Sequence, residues 1–357
     1  MLSSLTQAVL EKDPFLKRTH VAIQWKEIAS CVEPFLQSVR EKLRQQASVF
    51  APELSECCSY ALEGEGKLLR PAVLALSAYS IGNPDTEQAV TLATVLEMLH
   101  LASLIHDDVI DGAEIRRNRP SFSKRWGNRT AVLMGDCILS QAVLLASEAG
   151  GQKITTKIAT GARYICVGET LQSFYSEKRI SKNEYFELLA LKTGELFALA
   201  SELGAILADG SPEICSKMRK YGMDLGTAYQ IYDDCADMFS NEQNAGKSLG
   251  TDLASGKLTL PLFLLLEQTQ PEEQARIKSI CNKASGKNSV SSEDVAELKR
   301  YFKQYSILEK CKSAVEERIE PSLATVQSLP ISDTQKGLIN LLRFLPQQFD
   351  KFKEIDK

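Results

Sequence analysis

No sign of charge dominates this 357-residue chain: 42 basic side chains stand against 46 acidic ones, a net charge of −4. There is no basic field of the kind that holds nucleic acid. Cysteine occurs nine times but never as CxxC or in a Cys/His cluster, so no zinc site is spelled out. Only Cys57 and Cys58 lie close together, and the odd, scattered set reads as reduced thiols. Twenty glycines and twelve prolines are few for this length, which excludes low-complexity and collagen-like chains. Neither GxxxxGK(S/T) nor GxGxxG occurs, so no nucleotide cradle is indicated. The start, MLSSLTQAVLEKDPF, has no charged segment followed by a long apolar core, and no run approaches ~18 uncharged apolar residues. Neither a secretory leader nor a transmembrane segment is therefore expected, and the expected location is the cytoplasm.

Strand-like alternation is missing too. No proline lies between Pro120 and Pro212, and Ala131, Leu133, Ile138, Leu139, Ala142, Val143 and Ala146 recur with helical spacing. The chain reads as all-α. Helix stops are expected at Gly82-Asn83-Pro84, Gly150-Gly151 and Asp209-Gly210-Ser211-Pro212, all too short to be domain linkers. One domain over 1–357 is expected, its first ~20 residues peripheral. The polar stretch Ala284 to Glu293 reads as a mobile loop. Thr86 to Asp111 forms one helix whose second half is apolar nearly all round, which places it in the centre of the fold. At ~1.5 Å per residue it is about 40 Å long, enough to wall a deep cavity.

That helix ends in Asp107-Asp108-Val109-Ile110-Asp111, and the pattern returns at Asp233-Asp234-Cys235-Ala236-Asp237. Positions i, i+1 and i+4 crowd three carboxylates over the last turns, where they repel unless cations sit between them. An oxygen-only set of this kind suits Mg²⁺, which commonly shares its shell with a substrate phosphate. A single such run is as readily a solvated helix end; two, each continuing an apolar helix and followed by basic residues, are not. Those basic residues are Arg116 and Arg117 after the first motif and Lys247 and Lys257 after the second, with Lys67 and Arg70 in GEGKLLRP. Each pair alone is ordinary surface charge. Together with two acid clusters they imply a strongly anionic ligand such as a diphosphate. His100 lies two turns below Asp107 on the same face, whereas His106 points away and reads as structural. The Gln230 amide is placed to face the reacting centre. Lys192-Thr193-Gly194 breaks the apolar run LLALKTGELFALA, and such a break supplies carbonyl or hydroxyl oxygens to a cation.

From about Gly64 to Leu266 the chain resembles the trans-type isoprenyl (polyprenyl) diphosphate synthases. GEGKLLRP, LEMLHLASLIHDDVIDGAEIRRNRPS, GNRTAVLMGD, GETLQ, KTG, GTAYQIYDDCAD and GKSLGTDLASGKLTLP follow that family's order. The resemblance implies a single bundle of antiparallel helices around a deep central cavity, usually a homodimer. It implies that Asp107, Asp108 and Asp111 with Asp233 hold three Mg²⁺ ions on an allylic diphosphate, farnesyl or geranyl, and Asp234 and Asp237 of the second motif are counted with them as metal residues. Arg116, Lys192 and Lys257, assisted by Lys247, would bind that diphosphate. Lys67, Arg70, His100 and Arg117 would hold isopentenyl diphosphate, and Thr193 and Gln230 would stabilise the developing carbocation. The pattern departs at Leu68, where the family usually has arginine, and at Asn118, where it often has glycine. The first departure is expected to weaken homoallylic binding and the second to matter little.

The product tail must run from the carboxylates toward the start of the same helix. One turn is ~5.4 Å, about one isoprene unit, so a side chain one turn before Asp107 decides whether it passes. Helical geometry selects Ser103, and the resemblance adds Ala102. Both are small, which predicts an open tunnel and a long product; the alternatives are a farnesyl or geranylgeranyl product, or small residues serving close helix packing. A class I terpene cyclase would need no second diphosphate site. A catalytically silent partner subunit would not need intact aspartates in both motifs.

Overall fold

The computed structural model describes residues 24–62, 66–175, 180–239, 257–285 and 291–353. Lys247, residues 286–290 of the polar stretch expected to be mobile and the N-terminal ~20 residues lie outside the described residues.

The fold is all-α. The helices that build the site are α1 (Glu33–Ala47), α2 (Leu69–Ile81), α3 (Thr86–Ile110), α4 (Asn128–Tyr175), α5 (Lys182–Leu189), α6 (Glu195–Leu207) and α7 (Pro212–Phe239). The strands described are two-residue β1 (Ile115–Arg116) and β2 (Arg119–Pro120), a small antiparallel hairpin. α3 starts where predicted because the Asp85 carboxylate caps it, accepting from the amides of Glu87 (2.9 Å) and Gln88 (3.1 Å). It is the central helix the sequence implied, although the run buried on every side, Ala89 to Leu99, lies in its first half and not in the second, where it was expected. α3 packs along α4, and α6 packs between α2 and α7. The α6–α7 crossing depends on Gly222, where a β-carbon would sit 2.2 Å from the carbonyl oxygen of Phe197.

Two of the three expected helix stops are ends: α2 finishes at Ile81 and α6 at Leu207. The third is a kink. Helical hydrogen bonding continues past Gly150-Gly151, and Gly151 alone leaves helical geometry, at φ +62°. Two helices, α3 and α4, are long and apolar enough by length and composition to cross a membrane, although none was expected. α3 passes that test because it is a core helix. α4 passes it with part of its apolar surface outside, at Val132, Leu133, Leu144, Val167 and Phe174. All nine cysteines are unbridged.

Candidate active site

Helical geometry sorts the aspartates before any neighbour does. At ~100° per residue, positions i and i+4 lie ~40° apart, while i+1 lies ~100° from i. Asp107 and Asp111 accordingly share a side, half-buried and exposed respectively, whereas Asp108 turns inward and is only 3% exposed. There Arg116 grips one Asp108 oxygen, with Nε at 2.8 Å and Nη2 at 2.6 Å. Arg116 therefore serves the first aspartate motif directly, beyond the diphosphate role expected of it.

Burial pushes the Asp107 carboxyl up to about 6, against Lys192, with Glu169 and Asp111 raising it further. Lys192 bridges this region to α4: its ammonium is 2.8 Å from Glu169 Oε1 and 3.4 Å from Gln172 Oε1. Burial works to lower the Lys192 pKa, but Glu169 and Asp107 outweigh it and the net shift is upward, so it stays charged. Glu169 and Gln172 were not singled out from sequence. Their signal was the GETLQ run, which has no chemical pattern of its own. The polar break at Lys192-Thr193-Gly194 is a π-helical turn, Ala190–Gly194, joining α5 to α6. Such a turn widens the helix and is frequent at functional sites.

In the second motif Asp233 is half-buried, while Asp234 and Asp237 are buried. Asp234 Oδ2 accepts from the Tyr185 hydroxyl at 2.5 Å, and Asp234 Oδ1 from Gln230 Nε2 at 2.9 Å. Gln230 Oε1 in turn accepts from the Thr193 hydroxyl at 2.7 Å. The structure thus unites Thr193 and Gln230, and adds Tyr185, which no sequence pattern singles out. Burial first, then Asp234, holds the Tyr185 phenol well above its usual value, so it is a donor.

A separate cationic group gathers around the middle of α3. Arg70 stacks on the Phe197 ring, 4.7 Å to its centre. Arg70 Nε and Glu97 Oε2 are both buried without a hydrogen-bond partner among the described residues. Burial, then Arg70, Arg117 and Arg116, hold His100 well below its usual value, so the ring is neutral. Arg117 and Asn118 form the two-residue turn of the β1–β2 hairpin, both left-handed at φ +52° and +59°. Asparagine tolerates that region next best to glycine, which explains why Asn118 stands where glycine is usual. The turn sends Arg116 to Asp108 and Arg117 to Gly66, where a β-carbon would meet its Nη1 at 2.9 Å. Lys67 is exposed, and burial of its surroundings, then Lys351, lower its pKa. Leu68 is 4% exposed and packs into the core, at a left-handed φ of +49°. Lys257 is half-buried just ahead of the helix Leu260–Gln268.

His106 is fixed on α4 as expected. Its Nε2 lies 3.1 Å from the Val132 carbonyl, and a β-carbon at Gly135 would collide with the ring at 2.2 Å. Ala102 is buried, and the Ser103 hydroxyl turns back to the His100 carbonyl at 2.8 Å. Among the described residues no three His, Cys, Asp or Glu side chains form a ready-made metal cage. The donor chemistry still fits a hard divalent cation: Asp107 and Asp111 offer oxygen ligands on one side of the helix, and Asp107 is raised by burial first, with Glu169 and Asp111 adding to it, a penalty on the charged form that such an ion relieves.

The chain matches the family model for polyprenyl synthetase over residues 51–299. It is 35% identical to an all-trans-nonaprenyl-diphosphate synthase (geranyl-diphosphate specific) of Rhodobacter capsulatus over 285 residues, covering 80% of this chain and 86% of that one. It is 30% identical to a short chain isoprenyl diphosphate synthase of Methanothermobacter thermautotrophicus, covering 89% and 98%. Its fold superposes on a polyprenyl synthase of Caulobacter crescentus, solved with calcium and isoprenyl diphosphate, with a TM-score of 0.84, 27% identity, and 92% and 99% coverage.

Proposed function

We propose, on the premise that this chain belongs to the polyprenyl synthetase family and is a trans-prenyltransferase, that it joins an allylic diphosphate to isopentenyl diphosphate and repeats the step to a long all-trans product. The observation that carries the reading is the division of charge along α3. Its end presents carboxylates beside Lys192, and its middle, which carries His100, faces Arg70 and Arg117. Those are two anion sites of different design, as two different diphosphates require.

Asp107, Asp111 and Asp233 are the aspartates assigned to magnesium, three ions in our reading, with Asp108 and Asp234 turned inward behind them; Asp237, one turn from Asp233 on the same side, is assigned with Asp233. When bound, magnesium supplies positive charge to a diphosphate leaving group. Lys192, Arg116 and Lys257 bind the allylic diphosphate and add charge where it develops. Lys247 is assigned with them. Lys67, Arg70, Arg117 and neutral His100 hold isopentenyl diphosphate with its double bond toward the allylic carbon. The Thr193 and Gln230 oxygens face the allylic cation. The apolar walls of the bundle exclude water, which would otherwise capture that cation. Released diphosphate is the base for the final proton.

The small Ala102 and Ser103 support a long product. The short-chain relative keeps a farnesyl or geranylgeranyl product as the competing outcome. The apolar residues exposed along α4, among them Leu133 and Leu144, suit a homodimer contact, which sedimentation would reveal. Unbridged thiols suit a reducing compartment, the cytoplasm, which cell fractionation would check. The whole chain is taken as one catalytic domain. The deciding experiment is incubation with labelled isopentenyl diphosphate and geranyl or farnesyl diphosphate, with and without EDTA, followed by chain-length analysis. Elongation beyond twenty carbons that stops in EDTA is expected. No elongation would overturn the reaction, and a product of twenty carbons or fewer would overturn the length.

A further inference from the structure

Four side chains from three separate helical segments form one directed chain of hydrogen bonds. The Thr193 hydroxyl donates to Gln230 Oε1 (2.7 Å), Gln230 Nε2 donates to Asp234 Oδ1 (2.9 Å), and the Tyr185 hydroxyl donates to Asp234 Oδ2 (2.5 Å). Tyr185 and Asp234 are 4% and 5% exposed, and Thr193 is 7% exposed. An ionised carboxylate only accepts. It therefore decides which way the Gln230 amide is turned: the NH₂ group must face Asp234, and the carbonyl must face Thr193. That carbonyl in turn draws the Thr193 proton inward. Every proton in the chain points toward Asp234, and oxygen lone pairs are left at the Thr193–Gln230 end.

We propose that Tyr185 and Asp234 are positioning residues that set this polarity, so that Thr193 and Gln230 present lone pairs and no protons to the allylic cation. The inference rests on the prenyl-transfer reading given above. It assigns a task to the buried second aspartate of DDCAD that is separate from metal binding, and it brings in a tyrosine 49 residues away in sequence. The polarity matters because a cation is stabilised by the negative end of a fixed dipole and opposed by the positive end. Substituting Asp234 by Asn replaces a pure acceptor with a group that also donates. Tyr185 and Gln230 then compete for one oxygen. The amide of Gln230 can turn over, which would direct its protons at Thr193 and the reacting carbon.

The test uses the full-length enzyme with isopentenyl and geranyl diphosphates. Wild-type elongation checks the prenyl-transfer reading by itself, and the variants are read only relative to it. D234N is expected to lower kcat roughly thirtyfold or more, and Y185F roughly five- to tenfold, as for loss of a hydrogen bond to a charged group. Both Michaelis constants and the half-saturating Mg²⁺ concentration should stay within about twofold of wild type, taken as no resolved change in binding energy. T193V combined with Y185F should cost little more than T193V alone, since both act through one chain. Mn²⁺ bound in the presence of inorganic diphosphate, counted by electron paramagnetic resonance, should match wild type in D234N. If Mn²⁺ binding weakens about tenfold in D234N, an energy the size of a lost ligand, Asp234 is a metal ligand and the proposal fails. It fails equally if Y185F turns over at the wild-type rate, or if the T193V and Y185F losses multiply.

Discussion

The two aspartate motifs have the same spelling and different surroundings. In each, the second aspartate turns inward and is held by the protein, and the first stays half-buried on the side that faces the site. The partners differ in kind. Asp108 is gripped by a cation, Arg116, from a hairpin eight residues on. Asp234 is held by neutral donors, Tyr185 and Gln230. A motif read as three equivalent ligands is therefore a first and third carboxylate on one side with the second as an inward anchor, because adjacent helical residues diverge by ~100° while i and i+4 diverge by ~40°. The anchor at the first motif adds a charge beside the site. The anchor at the second feeds a hydrogen-bond chain through Gln230 to Thr193.

The largest effect should come from the outward aspartates, where the two motifs are alike. Asp107→Ala and Asp233→Ala should each lower turnover a few hundredfold, about 3–4 kcal/mol of transition-state stabilisation, with little change in thermal midpoint. Steady-state rates and calorimetry check this, and near-normal activity in EDTA would contradict it. Next come the substrates. Arg70→Ala should raise the Michaelis constant for isopentenyl diphosphate roughly ten- to a hundredfold while sparing that of the allylic substrate. Equal effects on both would show that the two anion sites are not separate.

The anchors differ in a stability measurement. Arg116→Leu leaves the Asp108 carboxylate buried without its cation. Removing one partner of a fully buried pair costs ~3–5 kcal/mol, and the part-exposed Arg116 reduces this to about 2 kcal/mol. A denaturant midpoint unchanged from wild type would mean that Asp108 needs no cation. The smallest change in rate should accompany the change in product. Ala102→Phe with Ser103→Phe should shorten the main product while holding turnover within several-fold, because neither side chain touches the diphosphates. Product chromatography reads the outcome, and an unchanged length would place the tunnel floor elsewhere.

The helical fold and the central helix were legible because composition and local spacing set them. So was the position, though not the form, of the break at Lys192-Thr193-Gly194. The kink at Gly151 was not legible as a kink, since two glycines signal a stop equally well. Glu97, Glu169, Gln172 and Tyr185 were hidden for a common reason. Each is an ordinary residue of its helix, and it becomes part of the site only through neighbours on other helices.

Residue order alone dictates which side chains are available to an anionic ligand and its cations. Asp107 and Asp111 had to share a side, since the helical period places i and i+4 together. Only the tertiary structure decided which carboxylates are spent on the protein itself. Tyr185 reaches Asp234 across 49 residues, and Lys192 reaches Glu169 across 23. No local rule specifies such a pairing, because it depends on how whole helices pack and on the demand that buried polar groups find partners.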